Sequence, residues 1–420
     1  MKFCIRRNIF FLLLGIAITA PALAAGSFAE NTLAGWVQYT ATGELELRAV
    51  VIGDCPVVAI DGQPVAMDLR AAATPAHPNV VCSTLLPEGV ARLELDGQAM
   101  PVPVANPQRI VVVGDTGCRL SAGHGLYQEC NNDSLWPFAQ VARSIAAYEP
   151  DLIIYTGDYI YRESPCPEKD EGCADSPWGD NLATWEADWL RPAHPLHLAA
   201  PLVLIRGNHE TCSRAGSGWF RYLDARQHPG ICIENTAPWS LLLDNISLGI
   251  MDTATLKKDG ESLAPLFAAQ LRELDHALEQ DSWLLTHRPF WGYGADDDSG
   301  ELKTPTLELQ DAVRMAGLPT STRLLVGAHI HLAELLEFAN NRPPQLVVAN
   351  GGTQLVSRVE PPAAIDGVDI TEQLVIYQYG FVVMEALGRS SQQWDVGFRD
   401  IEGRELERCR LHKESVSCSK

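Results

Sequence analysis

Positive charge is scarce in this 420-residue chain: 32 Lys plus Arg stand against 53 Asp plus Glu, for a net charge of −21. That excludes general nucleic-acid binding, which needs a basic footprint. It also excludes adsorption to an anionic membrane surface. Long apolar runs are missing: nowhere do about 18 apolar residues run together as a membrane span requires. No C-x-x-C occurs, which argues against a cysteine-based zinc site. No internal repeat or low-complexity tract is present. Gly and Pro are near ordinary usage and 46% of residues are hydrophobic, so the chain is neither disordered nor fibrous. Its length suggests two or three domains.

Eleven cysteines are present, an odd number. The first segment explains it. Lys2, Arg6 and Arg7 precede a short apolar run from Ile9 to Ala20, and Pro21 and Ala22-Leu23-Ala24 follow. This layout predicts a secretory signal peptide over 1–24, which would take Cys4 with it. Export, to a periplasm or to the medium, places the other ten cysteines where disulfides persist. Taken in sequence order they fall into five short intervals, which predicts Cys55–Cys82, Cys118–Cys130, Cys166–Cys173, Cys212–Cys232 and Cys409–Cys418. Sequence alone leaves other connectivities open.

Residues 25–107 read as a small all-β domain. Trp36–Tyr39, Glu44–Val51, Val57–Ile60 and Ala91–Leu95 are β-rich, and Asp61-Gly62 and Asp96-Gly97 mark turns. Met67–Ala73 is the one doubtful helical stretch. Residues 108–420 follow a proline-rich linker and read as α/β. Short apolar runs at Arg109–Val113, Leu152–Tyr155, Leu202–Ile205, Leu248–Met251, Trp283–Thr286, Leu324–Val326 and Leu346–Ala349 have the signature of buried strands. Helices are expected at Ser134–Tyr148, with Asp133 or Ser134 as cap, and at Pro265–Glu279. The last strands are expected at Phe381–Ala386 and Trp394–Phe398.

Five of these strands end in Asp, Asn or His. They run into Gly114-Asp115-Thr116-Gly117, Gly157-Asp158-Tyr159-Ile160-Tyr161, Gly207-Asn208-His209-Glu210, Thr286-His287 and Ala328-His329-Ile330-His331. In an open α/β sheet a site assembles at the carboxyl ends of the strands. Carboxylate, phenolate, amide oxygen and imidazole suit iron, manganese or zinc. Two such cations can clamp a phosphoryl group and activate a water.

These blocks resemble the calcineurin-like metallophosphoesterases, of purple acid phosphatase type. That pattern is G-D-x-G, G-D-x-x-Y, G-N-H-D/E, V-x-x-H and G-H-x-H. Here it reads G-D-T-G, G-D-Y-I-Y, G-N-H-E, L-L-T-H and A-H-I-H, over about 109–352. The resemblance implies a two-sheet α/β sandwich, preceded here by the small all-β domain. It implies that Asp115, Tyr161 and His331 hold one metal, that Asn208, His287 and His329 hold a second, and that Asp158 bridges them. His209 would assist the leaving group without binding metal. Most of the superfamily has a histidine where Gly117 stands, and Tyr161 would supply the missing donor. A phenolate favours Fe(III), with Fe, Zn or Mn beside it.

The expected activity is metal-dependent hydrolysis of phosphomonoesters, acid phosphatase-like, on a small-molecule substrate. A phosphodiesterase or nucleotidase on the same scaffold, and an inactive relative serving as a binding module, are the alternatives. Arg119, Arg162, Arg206 and Arg288 adjoin the motifs and are expected either to contact phosphate or to pair with surface carboxylates. Trp291 and Tyr293 are expected on a pocket rim or in simple packing. His124, His194 and His197 are three choices for a substrate-side histidine. Asp296-Asp297-Asp298 reads as a solvated acidic loop.

Overall fold

A computed structural model describes residues 28–278, 281–296, 299–304, 306–388 and 393–419. The expected signal peptide over 1–24 and two of the three aspartates at 296–298 lie outside the described residues.

Two large sheets face each other. The first has eleven strands. At its centre Arg109–Val113, Leu152–Tyr155 and Leu202–Leu204 run parallel. The second has eight strands. Its core of Ser247–Ile250, Ser282–Leu285, Thr322–Gly327 and Gln345–Val348 is also parallel. Side chains alternate across a strand. Ile110, Val112, Ile154 and Val203 therefore point into the sandwich, against Leu248, Leu285, Val326 and Val348 of the other sheet. Val111, Val113, Ile153 and Tyr155 point outward onto the helix Phe138–Ala147 and a cluster of tryptophans. On the far side, Leu284 and Leu325 are covered by the helices Ala264–Ala277 and Leu307–Ala316. Strands buried on both faces read as continuous apolar runs, which is why they were legible.

An all-β region over 32–100 precedes the α/β part. Its strands do not stand apart from it. Thr32–Tyr39 pairs in parallel with Leu202–Leu204 at Gln38 and Leu202, and Leu45–Val51, Val80–Leu85 and Asp68–Ala71 continue the same sheet. Asp68–Ala71 is a strand where the sequence hinted at a helix. Pairing with Val80–Leu85 decides it, with Leu69 left facing solvent. The first helix of the α/β part begins later than expected, at Phe138. Pro137 is its N-cap and makes no side-chain capping bond. The helix Leu307–Ala316 and the strands Ala333–Phe338, Val368–Ile376 and Glu405–His412 were not read from sequence. Val368–Ile376 is only half-buried on a polar-rich run, so its pattern is weak. All five expected disulfides are present. No described helix is long and apolar enough to cross a membrane.

His77 joins the all-β region to the helix Gly216–Tyr222 through a 2.9 Å bond between its Nδ1 and the Tyr222 hydroxyl. Burial, then the charge of Arg221, push its imidazole down to about 4. Asp180 lies 3.5 Å from Nε2, but burial raises that carboxyl too. An unfolded histidine titrates near 6.5. The unfolded chain therefore binds more protons between those values, and stability falls as pH drops from about 6.5 to about 4. The expected loss from this site is roughly 2–3 kcal/mol. Urea unfolding from pH 7 to 4 checks it: His77→Gln should show a shallower pH slope than the wild type, and equal slopes would refute the assignment.

Candidate metal centre

Each sequence block sits in a loop at the carboxyl end of a parallel strand. Asp115, Asp158, His329 and His331 all have positive φ, at 52°, 57°, 76° and 53°. Non-glycine residues rarely adopt this region, and such strain collects at functional sites. Glycine makes room for it. Gly157 has φ of 103°, and a Cβ on Gly207 would collide with the Asp158 carboxylate. A Cβ on Gly117 would meet the Tyr159 carbonyl and the Tyr161 amide at 2.7 Å. No side chain fits there, so a histidine ligand at that position is excluded by space.

Tyr161 reaches the cluster. Its hydroxyl lies 2.9 Å from Asp115 Oδ1, 2.7 Å from Asp158 Oδ2 and 2.8 Å from His331 Nε2. It is no plain core tyrosine. His287 Nε2 approaches the same Asp158 Oδ2 and Asn208 Oδ1, each at 3.1 Å. Ligand atoms of Asp158, His287 and His329 lie within 4.8 Å of one another. The seven expected donors thus form two groups that meet at Asp158.

The histidines are oriented from behind. His287 Nδ1 donates to the Thr156 carbonyl at 2.9 Å, and His331 Nδ1 to the Gln354 carbonyl at 3.0 Å. Both then present Nε2 to the centre, the usual way a ligand imidazole is aimed. His329 differs: its Nε2 accepts from Arg288 at 2.6 Å.

The electrostatics call for cations. Asp115 and Asp158 are fully buried, and their ion-pair partners are histidines. Burial, then the nearby Asp158, push the Asp115 carboxyl well above its usual range. Burial, then both aspartates, raise the Tyr161 phenol. Burial also opposes ionisation of Asp158, but the His287 and His209 imidazoles hold its carboxyl well below the usual range. Burial, then Arg288, push His329 down, which keeps it a neutral donor. Two buried carboxylates, a phenol and imidazoles in one place fit a pair of metal ions, and nothing in the set resembles a thiolate site.

His209 lies beside this cluster. Its amide donates to Asp158 Oδ1 at 2.9 Å, and its ring centroid is 3.7 Å from that of Tyr161. Its Nδ1 is 2.9 Å from Glu163 Oε1, and Glu163 is also paired with Arg214. Burial lowers the His209 imidazole, against the pull of Asp158 and Glu163.

Three carboxylates that sequence reasoning missed hold the loops. Glu210, fully buried, accepts from the amides of Gly207, Asp158, Tyr159 and Ile160 at 2.9–3.2 Å. Asp188 accepts from the amides of Cys118 and Tyr161. Glu163 faces His209. The acid in G-N-H-E was a visible signal for Glu210; Asp188 had none.

Among the neighbouring residues, Arg162 is buried against Asp188 and Arg206 against Asp252. Neither faces the cavity. Arg119, Arg288 and His124 do line it. Trp291 and Tyr293 are buried and bond to Asp366 and Gln373, so they pack rather than form a rim. His197 is packed against Trp36 and Trp189, and His194 against Phe28.

Residues 108–333 match the family model described as calcineurin-like phosphoesterase. The chain belongs to that family. Calcineurin-like phosphoesterases carry a dinuclear metal centre, and the two groups meeting at Asp158 stand where this chain would hold it. Two solved structures share the fold of this phosphoesterase. One is the purple acid phosphatase PPD1 from yellow lupin (Lupinus luteus) seeds, at 14% identity over 90% of this chain and 74% of that one, TM-score 0.58. The other is PhoD, at 11% identity over 94% of each chain, TM-score 0.57. No curated protein matches the sequence significantly.

Proposed function

We propose that this phosphoesterase is an exported binuclear phosphomonoesterase of purple acid phosphatase type. The observation that carries the reading is the Tyr161 hydroxyl, set within 2.9 Å of Asp115, Asp158 and His331 while Gly117 leaves no space for a histidine. Asp115, Tyr161 and His331 would hold one ion, and Asn208, His287 and His329 the other, with Asp158 between them. Bound there, the ions would supply an activated water and neutralise phosphoryl charge. The chain's residues do the rest. Buried loops keep the donors in place, and Thr156 and Gln354 fix the tautomers of His287 and His331. His209, steadied by Glu163, delivers a proton to the departing alkoxide. Fe(III) is the ion expected beside the Tyr161 phenolate, with Fe, Zn or Mn as its partner. Five disulfides suit an oxidising compartment, periplasmic or extracellular.

Purified protein loaded with iron or manganese should hydrolyse p-nitrophenyl phosphate and leave its bis ester intact. A violet absorption band should be present and be lost on Tyr161→Phe. Preference for the bis ester would establish a diesterase instead. A colourless, fully active zinc or manganese enzyme would sink the ferric assignment. Absence of bound metal and of any hydrolysis would leave a binding module.

A further inference from the structure

A second cavity adjoins the one that holds the candidate metal centre. The first, about 300 Å³, has Tyr161, His209, His329 and His331 in its wall. The second, about 490 Å³, is bounded by a tight hairpin, Lys257–Lys258 paired with Glu261–Ser262. Asn208, Arg214 and Arg288 line both, so the two are compartments of one cleft.

The walls of the second compartment are basic. Arg214, Lys257, Lys258 and Arg288 face it against two acids, Glu234 and Asp259. In a chain of net charge −21 this is a local reversal of sign, of the kind that draws an anion into a cleft. The lysines come from a defined ribbon. Asp259 and Gly260 both have positive φ, 53° and 84°, as a two-residue hairpin turn demands. Glu308 steadies Lys257 at 3.3 Å. Arg288 has a buried Nε without a hydrogen-bond partner. Arg214 is held by Glu163, the same carboxylate that faces His209. The basic compartment therefore begins beside the group that would protonate the leaving oxygen.

We propose that the second compartment is a leaving-group subsite and that the preferred substrates carry a further phosphate on the leaving group. The inference rests on the phosphomonoesterase reading of the metal centre. Two metal ions would already neutralise the scissile phosphoryl group, and the lysine hairpin lies in the other compartment. Guanidinium forks and ammonium groups together match phosphate oxygens. In the reaction, water oxygen bonds to the scissile phosphorus and the bond from phosphorus to the leaving oxygen breaks. That oxygen takes a proton from His209, one proton of the water stays on the released phosphate and the other restores His209, and the second phosphate leaves intact on the product.

The test compares matched substrates in the wild type and in Lys257→Ala/Lys258→Ala. One pair is fructose 1,6-bisphosphate and fructose 6-phosphate; the other is ADP and AMP. The ratio of kcat/KM, doubly over singly phosphorylated, should fall about tenfold in the variant. A fall confined to the sugar pair assigns bisphosphorylated esters, and one confined to the nucleotide pair assigns phosphoanhydrides. An unchanged ratio in both pairs overturns the proposal. Calorimetry on the metal-loaded protein gives a readout without turnover. Methylenebisphosphonate should bind more tightly than methylphosphonate, with about tenfold of that preference lost in the variant. Lysine-dependent bisphosphonate binding without any hydrolysis would sink the enzyme reading and leave the anion subsite. Hydrolysis with a lysine-independent preference would do the reverse.

Discussion

Replacing Asp158 by asparagine is expected to lower kcat/KM for a phosphomonoester by about a thousandfold. The side chain is fully buried, and its carboxylate meets side chains of both groups of donors. Its Oδ1 accepts the His209 amide, and its Oδ2 meets the Tyr161 hydroxyl and His287 Nε2. Asparagine has the same shape but removes the charge and puts an N–H donor where a cation would sit. Stability should fall in both states, and further with metal than without. Without metal, the variant loses the pairing with His287 and His209 that holds the Asp158 carboxyl well below its usual range, and relief of the repulsion on Asp115 offsets only part of that loss. With metal, the variant loses the stabilisation that ligand binding to the native state supplies. Melting with and without chelator, together with metal analysis, separates this from simple misfolding. Near-wild-type metal content and activity would refute the bridging role.

Glu210→Gln should damage both stability and catalysis, although no metal contact is assigned to this residue. Its two oxygens take four amide donors, Gly207 and Asp158 on Oε2 and Tyr159 and Ile160 on Oε1. Burial, then the charge on Asp158, push its carboxyl up to about 8, and the amide bonds oppose that rise. Glutamine offers one oxygen and one amide nitrogen. Two buried N–H groups would face a donor and lose their acceptor. The cost is roughly 3 kcal/mol, since each unsatisfied buried donor costs about 1–3 kcal/mol. The loop that carries Asp158 at φ 57° would relax, and activity should fall about 100-fold. Denaturant unfolding and steady-state kinetics on one preparation check it. Loss of stability with unchanged metal affinity and kcat/KM would show that Glu210 braces the fold without positioning Asp158.

Much of the site was legible because its information is local. A buried strand is a continuous apolar run, and a site residue beside glycine at its end is a short motif. The five disulfides were legible for the same reason, each closing a short interval between successive cysteines. Asp188 was silent because it sits on an irregular helical segment and reaches the Tyr161 amide only in the folded chain. Arg162 and Arg206 stand next to the motifs in sequence, yet buried carboxylates turn both away from the cavity.

The scarcity of positive charge shows the division most clearly. By itself the sequence determined the strand-end motifs, the cysteine intervals and an acidic balance that excludes broad polyanion binding. Those are properties of composition and of neighbours along the chain. Only the tertiary structure decided that a side chain at Gly117 would collide with the backbone of Tyr159 and Tyr161, that the first strands join the sheet at Leu202, and that Arg214, Arg288 and the Lys257–Lys258 hairpin line one cleft. These contacts link residues far apart in sequence. Packing of the two sheets fixes them, and no local pattern encodes where a few cations will gather in an acidic chain.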